Sequence, residues 1–91
     1  IDCSAASIWE EQSVPDLIRQ WMPSGLIAHI HFNDTNRRGP GEGELAFAPI
    51  VRALRETDYT GNASIEPFIY IPDGATCAAR CIGYMRGVLS A

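Results

Sequence analysis

Ninety-one residues are enough for about one small domain, since single cores usually take ~100–150 residues. The chain is 46% hydrophobic and 20% charged, which argues against disorder, and no apolar run approaches the ~18 residues of a membrane span. With 7 basic and 11 acidic residues the net charge is −4 and the pI near 4.9, so the basic face that nucleic-acid binding demands is missing.

All 7 basic residues are arginines, so no lysine is present to form a Schiff base. Three cysteines are too few and too odd in number for a disulfide-stapled secreted fold, and they point to a reducing, cytoplasmic setting. The chain opens on Ile1-Asp2-Cys3, an apolar stub that reads as the end of a strand. Ser13-Val14-Pro15-Asp16 then starts a helix, with Ser13 as its cap and proline in its first turn. Val14, Leu17, Ile18, Trp21 and Met22 make one apolar stripe, which predicts a helix over 14–22. Pro23-Ser24-Gly25 stops it.

The segment LIAHIHF predicts a strand over 26–32, buried on both faces apart from its histidines. A turn-rich loop follows, carrying Gly39, Pro40, Gly41 and Gly43. Phe47, Ile50, Val51 and Leu54 predict a helix over 47–56, where Pro49 is tolerable because it lies in the first turn. Asp58-Tyr59-Thr60-Gly61 turns into a strand over 62–68. Asp73-Gly74 opens a last helix over 75–89, with Cys77, Cys81, Ile82, Met85, Val88 and Leu89 on one side. The order is (β)αβαβα, an α/β class with parallel strands joined by helical crossovers. A stub and two strands leave both sheet edges exposed, so the expectation is part of a larger α/β protein rather than a complete miniature domain, with assembly of exposed edges with other copies as a third outcome.

Buried parallel strands are normally Val, Ile or Leu, yet these carry Asp2, His29, His31 and Glu66. Asp2 and His31 are 29 residues apart and His31 and Glu66 are 35 apart, each about one βα repeat of an eight-repeat barrel of ~250 residues. The three side chains should therefore lie at one height on neighbouring strands ~4.8 Å apart and converge. Taken singly, His31 could be a satisfied core histidine and Glu66 the partner of an arginine. Taken together at repeat spacing, they point to a divalent cation, because buried carboxylates need a partner. Mn²⁺, Mg²⁺, Co²⁺ and Zn²⁺ all suit imidazole with carboxylates. His29, on the same strand face but one layer deeper, is expected to support His31 rather than to ligate.

Cys77 and Cys81 are expected to fill core, as is Cys3, since no further ligand completes a zinc set. The loop Asn36-Arg37-Arg38-Gly39-Pro40-Gly41-Glu42-Gly43 follows the histidine strand and should overhang the mouth. Arg37 is the candidate clamp for a substrate oxygen or phosphate, and Arg38 the more ordinary surface arginine. Its Gly41-x-Gly43 is not a nucleotide loop, because no G-K-[ST] follows.

In this order, Ile1-Asp2, His29-Ile30-His31-Phe32, the arginine-glycine loop, Tyr59-x-Gly61 and Ile65-Glu66-Pro67-Phe68 resemble the xylose isomerase-like TIM-barrel superfamily of sugar (phosphate) isomerases and epimerases. The resemblance implies that residues 1–91 are the C-terminal three βα units of one (β/α)8 barrel domain. It implies a metal held by Glu, Asp, His and Glu, three of them Asp2, His31 and Glu66, with the fourth on an earlier strand. Proton transfer next to a carbonyl through an enediolate would then use Glu66 as one of two acid–base glutamates, with Arg37 on a small-molecule sugar or sugar phosphate. Ketose 3-epimerases also carry a histidine three residues after the aspartate, where this chain has Ala5. Endonuclease IV-like repair enzymes need that histidine and another in the loop; Asn33-Asp34 echoes their pattern, but the loop contains no histidine. The alternatives are a non-catalytic metal- or sugar-binding barrel module and, more remotely, such a repair enzyme.

Overall fold

The computed structural model describes the whole chain, Ile1–Ala91. In chain order it forms α1 (Cys3–Trp9), α2 (Val14–Trp21), a 3₁₀ turn (Met22–Ser24), β1 (His29–Phe32), α3 (Phe47–Glu56), β2 (Asn62–Ile65) and α4 (Gly74–Ser90). β1 and β2 pair in parallel, with His29 opposite Asn62 and Phe32 opposite Ile65. On the other side of β1, Ile1-Asp2 adds a short parallel stretch: His31 N donates to Ile1 O at 2.8 Å, and Asp2 bridges to His31. β1 is thus the central strand of three.

The expected parallel sheet and three of the helices are present; the corrections concern extent. Both strands are shorter than 26–32 and 62–68, and Leu26 is 82% exposed. β1 is not buried on both faces. Ile30 and Phe32 enter the core while His29 is exposed and His31 half-buried, the alternation of a strand with one covered face. Pro67, which has no N–H, limits β2, although Glu66 N still donates to Phe32 O at 3.1 Å. The helix α1 was not expected at all. Asp2 caps it, its Oδ1 accepting from Ala5 N at 2.8 Å, so a residue read as a strand end and candidate metal ligand is also a helix cap.

The helices α2, α3 and α4 cover the buried face in sequence, α2 against α3 and α3 against α4. Ser13 caps α2 as expected, accepting from Asp16 N at 3.3 Å. The core joins Cys3, Val14, Ile18, Ile30, Phe32, Phe47, Ile50, Val51, Leu54 and Met85. The stripe of α4 is narrower than expected: Cys77, Cys81 and Met85 are buried, whereas Ile82 and Leu89 are exposed beside β2. No helix is long and apolar enough to cross a membrane.

A candidate metal centre at the strand ends

The period of two along a strand decides which side chains meet. His29 and His31 share the uncovered face of β1, and Ser64 opposite His31 puts Glu66, two residues on, on that face as well. Asp2 arrives from the other side through its bridge to His31. One ligand atom each from Asp2, His31 and Glu66 lies within 4.8 Å of the other two. His31 Nδ1 is 3.4 Å from Asp2 Oδ2 and in close contact with Glu66 Oε2. Glu66 meets this histidine rather than an arginine. All three side chains point to one side at one strand end, as expected.

The donor set fits a divalent cation. Glu66 Oε2 is buried and accepts no hydrogen bond, although it abuts the imidazole. A shielded carboxylate oxygen without a donor is unfavourable, and a cation satisfies it. Burial raises the Asp2 pKa, but hydrogen bonds from Ala5 N, Asn33 and His31 outweigh it and hold the carboxyl below its ordinary range. Asp2 therefore stays an anion near neutral pH. Behind this group, His29 Nε2 pairs with Ser64 Oγ at 2.8 Å, and its ring meets His31 edge-on at a centroid distance of 5.1 Å.

The loop after β1 is held by Asp34, Arg38 and Glu42, none of which the sequence marks for that structural role. Asp34 is fully buried and its carboxylate accepts from Thr35 N at 2.7 Å and Leu45 N at 3.1 Å, tying both ends of the loop together. Arg38 is not a free surface arginine. It donates to Glu42 Oε2 at 2.6 Å and to Ile71 O at 3.1 Å, while the Glu42 side chain is only 7% exposed. Cys81 donates to Glu42 Oε1 at 3.4 Å, and burial with this carboxylate pushes its thiol up to about 12. Burial, reinforced by the Asp2 charge, takes the Cys3 thiol up to about 12 as well. Both thiols are inert, as core cysteines should be.

Arg37 stays exposed at the loop tip with φ 70, and its guanidinium carbon lies 5.9 Å from the Phe68 ring centroid. Its carbonyl accepts from Phe68 N at 2.8 Å and Ile69 N at 3.0 Å, so the loop and the segment after β2 are fastened together. Gly41 closes the turn at φ 86, where an added Cβ would lie 2.6 Å from the Tyr84 ring. Gly41→Ala should therefore destabilise the fold by roughly 1–3 kcal/mol, through overpacking and a left-handed backbone together. A lowered urea midpoint with unchanged slope is the expected reading; an unchanged midpoint contradicts it.

Residues 1–85 match a family model described as xylose isomerase-like TIM barrel. The chain belongs to this family. It is 43% identical over 60 residues to the D-psicose 3-epimerase of Agrobacterium fabrum, covering 66% of this chain and 20% of that protein. It is 40% identical over 60 residues to the D-psicose 3-epimerase of Enterocloster bolteae, covering 66% of this chain and 19% of the relative. A crystal structure of D-psicose 3-epimerase in the presence of D-fructose superposes with a TM-score of 0.80 and 29% identity, covering 99% of this chain and 37% of the other. The structure of an L-ribulose 3-epimerase shares the fold, with a TM-score of 0.74 at 21% identity. The α/β fold is thus that of three βα units of a TIM barrel, parallel strands with flanking helices. The chain spans about a fifth of the length of the curated relatives it matches.

Proposed function

We propose that residues 1–91 are the C-terminal part of a single barrel domain that isomerises or epimerises sugars in the cytoplasm with a divalent metal. The observation that carries this reading is the meeting of Asp2, His31 and Glu66 at one strand end, in a chain related to sugar epimerases. Asp2, His31 and Glu66 would hold Mn²⁺, Mg²⁺, Co²⁺ or Zn²⁺. When bound, the cation supplies Lewis-acid stabilisation of charge on substrate oxygens.

The remaining work falls to the side chains. Glu66 takes the proton from the carbon next to the substrate carbonyl and returns it, shared with a glutamate from another part of the barrel. His29 holds the His31 ring from below. Arg37, exposed at the loop tip and anchored through its backbone, clamps a substrate oxygen or a phosphate. The substrate is a small ketose or its phosphate, and the net charge of −4 disfavours a polyanion such as nucleic acid.

Chromatographic assay of the full-length protein with Mn²⁺ against ketoses and ketose phosphates tests the reading. Conversion of at least one at carbon 2 or 3 supports it; metal binding without conversion leaves the non-catalytic binding module. Within an active protein, Arg37→Ala should lower kcat/KM roughly 10–100-fold, the worth of one charge-assisted hydrogen bond. Its Mn²⁺ affinity should be that of the wild type. A loss of metal affinity in this variant would contradict the clamp role.

A further inference from the structure

The three converging side chains leave a fully buried amide beside them unexplained. Asn33 follows Phe32 at the end of β1, two residues beyond His31, and exposes no surface. Its Nδ2 donates to Asp2 Oδ2 at 2.9 Å and its Oδ1 accepts from Ser4 N at 2.8 Å. We infer that Asn33 is a positioning residue for the Asp2 carboxylate, fixing the oxygen that Asp2 turns toward His31 and Glu66. The inference rests on the proposed role of Asp2, His31 and Glu66 as metal-holding residues.

The chemistry of the neighbours sets the amide's orientation. A backbone N–H can only donate and a carboxylate can only accept, so Oδ1 must face Ser4 and Nδ2 must face Asp2. No other uncharged side chain of this size offers a donor and an acceptor in a fixed fork. Asp2 needs such a hold because its two oxygens have different duties. Oδ1 caps α1 through Ala5 N, while Oδ2 lies toward His31 Nδ1. The carboxylate torsion is intrinsically broad, and the Ala5 bond alone leaves rotation about that oxygen open. Asn33 closes it. The same side chain staples the first turn of α1 to β1, so the position of Asp2 is set relative to His31 by one group bonded to both elements.

Partners that orient a ligating carboxylate typically matter 10–100-fold in metal affinity. The test is an electron paramagnetic resonance titration with Mn²⁺ alone, on the full-length protein and four variants. Asn33→Ala should weaken the Mn²⁺ Kd ~10–100-fold. Leu54→Ala, which opens the core on α3 away from Asp2, supplies a destabilised control with wild-type affinity. Asn33→Asp keeps the size and the acceptor for Ser4 N but replaces the donor facing Asp2, and its Kd should depart from wild type by about tenfold or more. A purely structural Asn33 predicts Asn33→Asp within twofold of wild type, and that result overturns the inference even if Asn33→Ala fails to fold. Asp2→Asn separates the two claims. If it binds Mn²⁺ as the wild type does, or the wild type binds none, the metal reading itself falls and takes this inference with it. If Asp2→Asn loses affinity while both Asn33 variants keep it, only the positioning role is wrong.

Discussion

Glu66→Gln in the full-length protein should reduce sugar epimerisation by ~10²–10⁴-fold while the protein stays folded. The substitution is nearly isosteric, and the Glu66 side chain is 40% exposed at a strand end, outside the packed core. Its backbone N–H bond to Phe32 O is untouched by the change. The chemistry is not spared. An amide cannot take a proton from carbon, and it brings a neutral group to a position where a carboxylate faces His31 and would face the proposed cation. Weaker metal binding should therefore add to the loss of proton transfer. The assay is kcat at saturating Mn²⁺, beside a thermal melt. Activity within a few-fold of wild type would remove Glu66 from the acid–base role.

Phe47→Ala should be the most damaging change to the fold, at about 3–5 kcal/mol. That is a large share of the ~5–15 kcal/mol that stabilises a typical domain. Phe47 is fully buried at the start of α3, and its ring meets Phe32 edge-on at 5.9 Å and Tyr84 at 6.1 Å. It thereby ties β1, α3 and α4 to one another. Phe32 lies between His31 and Asn33 in sequence, so loosening this cluster frees the strand end that carries the site. Urea unfolding of wild type and variant measures the effect. A loss under 1 kcal/mol would show that the aromatic cluster does not hold the layers together.

The alternation of helix and strand signals was readable because α2, α3 and α4 each present an apolar stripe, and Ser13 and Asp73 mark the starts of α2 and α4 as caps. The spacing of Asp2, His31 and Glu66 was readable for a related reason: each breaks an apolar strand pattern at one repeat's distance from the next. The short helix α1 was hidden because seven residues hold too few turns for a stripe, and its one signal, Asp2, also ends a strand. The half-open face of β1 was equally hidden. LIAHIHF is apolar enough for either setting, and only the neighbours present decide which residues are covered. Asn33 and Asp34 drew notice in the sequence only as an echo of the repair-enzyme pattern. Their roles depend on bonds to Asp2, Ser4 and Leu45, partners distant in sequence that no local pattern reveals. Arg38 was misjudged likewise, because Glu42 and Ile71 O become its neighbours only when the loop folds back.

The central claim is proton transfer next to a carbonyl at the Asp2, His31 and Glu66 site. Deuterium uptake from solvent at the carbon beside the carbonyl tests it most directly, measured for a panel of ketoses with full-length protein and Mn²⁺. At least one ketose should gain deuterium, and Glu66→Gln should suppress that gain. Wild-type protein that binds Mn²⁺ yet exchanges no deuterium into any of them would contradict the claim.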